Sequence, residues 1–192
     1  MTQRRNFWMR WRVRTGYPVA VIFLVFAAPT PRSILIGGTV ALLGILIRGA
    51  SSGYLRKYEE LATTGPYAHT RNPLYFGSAF LAAGFAIAGN SWIAGLLVIT
   101  YFGVFYTAVM RNEESDLRTR FGAVFDEYAA GVPLFFPRVT APQTNPPQIA
   151  LRAKAFSWPQ YRRNREYNAL IGTLAGLGVM WLRMCIRSRF GY

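Results

Sequence analysis

Two adjacent carboxylates, Glu113 and Glu114, stand just past a run from Asn72 to Met110 that holds no charged side chain. Counted back by three and four residues from Leu117 and Phe121, Glu114 falls on the apolar stripe of a helix and Glu113 on its flank. Carboxylates that face inward at the end of a bilayer helix are unfavourable unless they meet hydrogen-bond donors or a cation. We therefore predict that the pair belongs to a functional site where it meets donors or a cation, with a solvated helix end as the simpler alternative.

The segment Gly65–Gly77, GPYAHTRNPLYFG, is the second candidate. Its Gly-Pro pair predicts a turn, Asn72 suits a helix N-cap, and Pro73 suits the first helical position. Backbone N–H groups and the positive end of the helix dipole would then favour an anionic group of a ligand. Tyr67 and Tyr75 add aromatic faces beside it. The alternative is a capped helix with interfacial tyrosines and no ligand.

The remaining reactive side chains limit the possible chemistry. His69 is the only imidazole and could serve as a general base. A histidine in an interfacial loop is the interpretation that we favour. Cys185 is the only cysteine, which excludes an internal disulfide and every multi-cysteine metal site, and a single histidine excludes a His-rich one. No metal site is predicted.

Composition indicates a membrane protein. Charged residues make up 16% of the 192-residue chain, against roughly 25% in soluble domains. The uncharged run before the glutamates far exceeds the roughly 20 residues that one crossing needs. The arginines behind the net charge of +14 crowd an N-terminal arm, which also carries tryptophans, and the segment from Arg111 to Arg165. We predict that the arm contacts anionic lipid headgroups rather than nucleic acid. Its arginines are Arg4, Arg5, Arg10, Arg12 and Arg14.

The apolar segments predict an all-α membrane protein of about four to five transmembrane helices. The arm leads into an uncleaved first helix that ends at a Pro-Thr-Pro turn, and Ser33 to Ile47 forms a second one; both are short for crossings. Gly37, Gly38 and Gly44 suit close helix packing in lipid. A hairpin at Gly89-Asn90-Ser91 divides the long run into two helices. The fourth helix is expected to continue out of the membrane as an amphipathic segment that Val132-Pro133 stops.

The distribution of Lys and Arg places the N-terminus and both candidate segments on the cytoplasmic side. The last apolar segment, Ala169 to Leu182, does not fit this rule, because crossing would leave Arg183, Arg187 and Arg189 outside. A re-entrant segment and a crossing that breaks the rule both remain open.

The ordered motifs resemble one known superfamily. They are Gly-Pro-Tyr, Arg-Asn-Pro-Leu-Tyr-Phe-Gly three residues later, a glycine-interrupted helical hairpin, Glu-Glu-x-x-Leu, Phe-Gly, Tyr and Val-Pro-x-x-x-Pro. This series, from about Leu61 to Pro137, is similar to the isoprenylcysteine carboxyl methyltransferase and phospholipid methyltransferase superfamily of integral membrane methyltransferases. The chain accordingly divides into a methyltransferase core, residues 1–137, and a tail, residues 138–192, which we expect to cover the cofactor pocket partly or to guide anionic lipid.

The resemblance implies that S-adenosylmethionine binds in a cytosol-facing pocket and donates a methyl group to a lipid-like acceptor, either an isoprenylcysteine-type carboxylate or a phospholipid amine. A carboxylate would need only alignment and exclusion of water, whereas an amine would need Glu113 or Glu114 to take its proton. The cofactor-binding residues carried over by position are Leu61, Ala62, Tyr67, Asn72, Pro73, Leu74, Tyr75 and Glu113.

Two positions depart from the prenylcysteine branch of the superfamily. Asn72 stands where that branch usually has histidine, although the phospholipid branch has asparagine. Val109 stands where the prenylcysteine branch has an arginine that holds the substrate carboxylate. Arg111 is the nearest substitute and is predicted as a substrate-binding residue if the helix is locally distorted.

Two other functions remain as alternatives. NADPH-dependent sterol reductases have a similar helix start, but this chain has Leu74 where they have asparagine and Ser78 where they have glutamate. A non-catalytic membrane scaffold is the alternative of a different class. A soluble methyltransferase with a dinucleotide-type fold is excluded, because no strand followed by a glycine-rich fingerprint occurs.

Overall fold

The computed structural model describes residues 2–56, 59–140 and 155–190, and for residues 2–10, 12, 13 and 190 it describes the backbone alone. All regular secondary structure in these ranges is helical, which confirms the all-α prediction. The elements are α1 (Thr2–Phe26), α2 (Pro31–Ser52), a 3₁₀ turn (Gly65–Ala68), α3 (Pro73–Gly89), α4 (Trp92–Phe121), α5 (Ala123–Gly131), α6 (Trp158–Arg163) and α7 (Tyr167–Phe190).

Three helices are long and apolar enough to cross a membrane: Pro31–Ser52, Trp92–Phe121 and Tyr167–Arg189. Two shorter apolar helices, Arg14–Phe26 and Pro73–Gly89, accompany them. Large apolar side chains on these helices face outward, as Leu35 and Trp92 do with 71% and 78% of their surface exposed. Outward-facing apolar surface on this scale is what a bilayer covers. The chain is therefore an integral membrane protein.

Two tight connections meet at one end of the helices, which we call the hairpin end (residues 27–33 and 88–91). The Ala28 N–H donates to the Gly89 carbonyl at 2.8 Å. Ser33 Oγ donates to the Ala88 carbonyl at 3.0 Å. Asn90 ends α3 in the left-handed conformation, with φ 47°, which asparagine tolerates better than most residues. Both predicted turns are thus confirmed.

Helices α2 and α3 approach each other through their backbones. A Cβ atom added at Gly37 would lie 2.3 Å from the Gly84 carbonyl oxygen, and one added at Gly44 would lie 2.6 Å from that of Gly77. The predicted packing role of Gly37 and Gly44 is confirmed. Gly38 instead faces α7, where an added Cβ would be 3.6 Å from a Leu177 methyl group. Such close approach maximises van der Waals contact, which replaces the hydrophobic effect between helices in lipid.

Helix α7 passes along the other helices from one end to the other. Near its C-terminus, Arg183 donates at 2.7 Å to the Val25 carbonyl in the last turn of α1. It also donates at 2.9 Å to the carbonyl of Ala27, the residue that follows α1. Immediately before α7, Glu166 pairs with Arg48 at the far end of α2. The last apolar segment is therefore a continuous helix of spanning length rather than a re-entrant one. Arg183 satisfies carbonyl groups that a helix C-terminus leaves without partners.

The structure corrects two predicted boundaries. The second apolar segment does not end at Ile47, because α2 continues through Arg48 to Ser52 and reaches 22 residues, the length of a crossing. An ion pair to Glu166 compensates the Arg48 charge, so the helix need not stop there. The amphipathic continuation of α4 is confirmed, but Gly122 with φ 53° divides it, and α5 forms the second part.

Parts of the predicted tail and arm lie outside the described residues. They are residues 141–154 of the proline-rich stretch and the side chains of Arg4, Arg5, Arg10 and Arg12.

The close contact of α2 and α3 can be tested with alanine at Gly84. The added Cβ would lie 2.6 Å from the Gly37 carbonyl oxygen and 2.7 Å from the Ala41 nitrogen, so the helices must separate. Overpacking of this kind costs about 1–3 kcal/mol, and we expect the apparent melting temperature in detergent to fall. Gly103→Ala is the control, because nothing lies within 4 Å of its added Cβ. Equal melting temperatures of the two variants would contradict the packing.

Candidate functional site

The start of α3 lies at the end of the helices opposite the hairpin end. We call this the site end, formed by residues 48, 61–78, 109–114, 125–138 and 166. The Asn72 carbonyl accepts the Phe76 N–H at 3.0 Å, so α3 starts where predicted. The predicted side-chain cap is wrong: the Asn72 side chain makes no capping bond, because its Nδ2 donates to the Leu134 carbonyl at 3.0 Å. The first turn of α3 therefore has no cap from Asn72, and its positive end can receive an anionic group.

Residues 133–138 lie alongside residues 69–72 and fix the position of this segment, which leads into α3. The Arg71 N–H donates to the Pro133 carbonyl at 2.9 Å, and the Arg138 N–H donates to the His69 carbonyl at 2.9 Å. Thr70 Oγ1 donates to the Phe135 carbonyl at 3.0 Å. His69 Nδ1 lies 2.8 Å from the Arg138 carbonyl. Because a carbonyl only accepts, Nδ1 carries the proton, and His69 helps to join the two segments.

The two glutamates occupy different environments. Glu114 is half-buried and forms an ion pair with Arg71. Glu113 is exposed and accepts a hydrogen bond of 2.7 Å from the Tyr75 hydroxyl. The inward placement of Glu114 and the flank position of Glu113 agree with the helical count. One Arg71 nitrogen, Nε, is buried and has no hydrogen-bond partner among the described residues.

Aromatic rings continue from this pair along α4. The Tyr75 ring contacts Tyr106 edge-on, with ring centroids 5.5 Å apart. Tyr106 in turn stacks on Phe102 at 4.2 Å with an interplanar angle of 20°. Tyr75 thus joins a carboxylate on one side to an aromatic surface on the other.

Tyr67 is buried, and a hydrogen bond joins its backbone to α5. The Tyr128 hydroxyl donates to the Tyr67 carbonyl at 2.7 Å. Burial raises the pKa of the Tyr67 phenol above its ordinary value, and Tyr128 and Glu113 raise it further. The phenol therefore remains neutral at physiological pH. Leu61 packs against the buried Phe125 of α5 and its neighbours, and Ala62 is half-buried in the same loop.

A second ion pair at the site end, between Arg48 and Glu166, was missed from the sequence. Arg48 Nη2 lies 3.0 Å and 2.8 Å from the two carboxylate oxygens of Glu166. Neither Arg48 nor Glu166 is among the predicted site residues. The signal that could have revealed this pair is the position of Arg48 directly after an apolar segment, because a charge placed there needs a partner.

The structure thus brings most predicted site residues together. The exceptions are the positions expected to bind the substrate. Arg111 is exposed, whereas Arg71 supplies the guanidinium beside Glu114. Val109, where the prenylcysteine branch has arginine, is buried with 5% of its surface exposed.

Comparisons with known proteins agree with the resemblance. The phospholipid methyltransferase family model matches residues 33–124, which confirms the resemblance over most of α2 and all of α3 and α4. The nickel-cobalt-cadmium resistance protein NccN of Alcaligenes xylosoxydans xylosoxydans is 36% identical over 110 residues, covering 53% of this chain and 50% of that protein. The cobalt-zinc-cadmium resistance protein CzcN of Cupriavidus metallidurans is 35% identical over 85 residues, covering 44% and 39%. The chain spans about half the length of these relatives or less. No solved structure matches.

The hydrogen bond from Tyr128 to the Tyr67 carbonyl should be important for stability. Tyr128→Phe leaves a buried acceptor without its 2.7 Å donor, which costs about 1–3 kcal/mol. We expect the melting temperature in detergent to fall by roughly 2–4 °C per kcal/mol. Tyr17→Phe is the control, because 72% of Tyr17 is exposed. A Tyr128→Phe variant that melts like this control would show that the bond contributes nothing.

Proposed function

We propose, from the match of residues 33–124 to the phospholipid methyltransferase family, that the chain is an integral membrane methyltransferase that uses S-adenosylmethionine and acts on a lipid-like acceptor. One observation carries the proposal. Side chains from the loop before α3, from the first turn of α3 and from the end of α4 converge at the site end, where Tyr75 donates to Glu113 at 2.7 Å.

The residues at the site end fit the methyl donor chemically. The start of α3, which Asn72 leaves without a side-chain cap, suits a carboxylate. The ring faces of Tyr75 and Tyr106 suit an adenine, and the exposed Glu113 suits an ammonium group or ribose hydroxyls. The unpartnered Nε of Arg71 is a further donor for an anionic group. When bound, S-adenosylmethionine supplies a methyl group that its sulfonium activates towards a nucleophile.

The charges at the site favour an amine as the acceptor. Arg71 neutralises Glu114, which leaves the exposed Glu113 to take the proton that an amine must lose before it is methylated. A carboxylate acceptor needs a cation instead, and Val109 stands where the prenylcysteine branch has an arginine. Arg111 remains the candidate for that role in the carboxylate alternative.

The orientation that we propose places the site end and the N-terminus on the cytoplasmic side. The arginine-rich arm and the basic loops support this orientation through the positive-inside rule. The same residues would contact anionic lipid headgroups.

Cofactor binding is the first test. We expect the purified protein in detergent to bind S-adenosylmethionine with a Kd on the order of 1 μM by calorimetry. Glu113→Gln and Tyr75→Phe each remove one partner of a charged hydrogen bond and should weaken binding about 10- to 100-fold. Glu127→Gln, exposed on α5, is the matched control and should bind normally. Binding of NADPH alone would identify a reductase, and binding of neither would favour a scaffold.

The acceptor class can be read from the stability of the methylated product. Vesicles containing either phosphatidylethanolamine or a farnesylated cysteine lipid would be incubated with protein and methyl-labelled donor, then treated with base. A methyl ester hydrolyses under base and releases labelled methanol, whereas an N-methyl group survives. We expect base-stable label on the amine lipid. Label released by base from the prenylcysteine vesicles would assign the carboxylate acceptor instead.

The names of both relatives raise metal resistance as a second candidate function. Within the described ranges, no group of three or more His, Cys, Asp or Glu side chains could hold a metal ion. We propose that any such role acts through methylation of membrane lipid. Cells expressing Glu113→Gln should then tolerate cobalt salts no better than cells without the protein. Wild-type tolerance in that variant would separate resistance from methyl transfer.

A further inference from the structure

Arg48 connects three parts of the chain at the site end. Its Nε and Nη2 hold both carboxylate oxygens of Glu166 at 2.8–3.1 Å. Its Nη1 donates to the Leu74 carbonyl at 3.3 Å and to the Ser78 hydroxyl. The side chains of Arg48 and Glu166 keep only 19% and 11% of their surface exposed. A single guanidinium therefore ties α2 to the first turns of α3 and to the residue just before α7.

The absence of a side chain at Gly77 allows this arrangement. A Cβ atom added at Gly77 would lie 2.7 Å from Arg48 Cγ, so the aliphatic stem of Arg48 crosses α3 at this glycine. Ser78 Oγ also donates to the Leu74 carbonyl at 3.0 Å. The Leu74 carbonyl thus receives donors from both its own helix and Arg48.

The segment that carries Glu166 is docked on the end of α2. Asn164 Nδ2 donates to the Ser52 carbonyl at 2.8 Å, and Gln160 Nε2 donates to the Leu55 carbonyl at 2.7 Å. The Phe156 ring lies against Gly53, where an added Cβ would be 2.2 Å from it. These contacts satisfy carbonyl groups at the end of α2 and just beyond it, and they fix the position of Glu166.

We propose that Arg48 and Glu166 are a positioning pair for the site and that residues 156–166, which lie outside the family match, are part of the functional unit. Neither side chain is assigned contact with a reacting atom. The pair holds the first turn of α3, and through it the Tyr75 side chain that bonds Glu113. Both charges also lie within electrostatic range of the Tyr67 phenol. For its binding and kinetic readouts the inference rests on the proposed methyltransferase function.

The test compares Glu166→Gln with Glu59→Gln in the full-length protein. Glu59 also pairs with this segment, through Arg163 at 2.9 Å, but 47% of its side chain and 68% of that of Arg163 are exposed. Hydrogen exchange by mass spectrometry would be measured over residues 73–78. We expect exchange there to accelerate in Glu166→Gln and to remain unchanged in Glu59→Gln. This readout needs no cofactor.

The second readout is binding and turnover. Losing a charged, bidentate partner should raise the Kd and the KM for S-adenosylmethionine at least about tenfold, with a smaller change in kcat, whereas Glu59→Gln should leave both constants unchanged. Arg48→Lys, which keeps the charge but cannot reach all four acceptors, should give an intermediate loss.

Each remaining outcome decides between the hypotheses. In one outcome, Glu166→Gln accelerates hydrogen exchange only over residues 156–166 and leaves exchange in α3 and the KM unchanged. The pair would then only anchor the tail, and the proposal would be overturned. If Glu166→Gln does not fold, Ser78→Ala provides the test, because it removes an acceptor of Arg48 but keeps the ion pair. Hydrogen exchange at the start of α3 must accelerate in this variant, and unchanged exchange there overturns the proposal as well. A wild-type protein that binds no methyl donor but shows the exchange pattern would refute the proposed function and leave the positioning role intact.

Discussion

The direct backbone contact between α2 and α3 is the constraint on which the site depends. With 17 residues, α3 is only about 26 Å long, less than the roughly 30 Å hydrocarbon core. Its position along α2 therefore determines how deep its first turn lies. Glycines at both ends of the contact fix that position, Gly37 against Gly84 and Gly44 against Gly77. The start of α3 is consequently held level with Arg48, where side chains from α4 and from the residues before α7 reach it.

Charge compensation at the membrane boundary is the second condition. Arg48 is paired with Glu166, Arg71 with Glu114, and Arg183 with carbonyls at the end of α1. An unpaired charge at this depth would be costly, so each partner makes the placement of the other possible. The arginines near the end of α7 illustrate the same point. The positive-inside rule disfavours Arg183 at the hairpin end. Its charge is nevertheless stabilised there, because it donates to carbonyl groups at the end of α1.

Sequence reasoning succeeded where the signal is local. The turns at Pro29 and Asn90, the start of α3 at Pro73 and the faces of Glu113 and Glu114 all follow from neighbouring residues and helical spacing. It failed where the partner is distant in the chain. The Asn72 side chain bonds Leu134, 62 positions away, instead of capping its own helix. Helix α2 extends beyond its predicted end because Arg48 pairs with Glu166, 118 positions later in the chain. No periodicity in the sequence specifies such pairs, since they depend on how the helices are arranged in three dimensions.

The adjacent glutamates show why two carboxylates can serve one site in different ways. On a helix, consecutive residues point about 100° apart, so Glu114 turns inward to Arg71 while Glu113 remains accessible beside Tyr75. A carboxylate held by a guanidinium has its lone pairs engaged by the N–H donors of that group, whereas one that accepts a single phenol hydrogen bond keeps lone pairs free. Glu114 is thereby suited to fixing the loop before α3, and Glu113 to meeting a cation or a proton. Replacing either one should therefore disturb a different property of the site, which is the physical reason for keeping both.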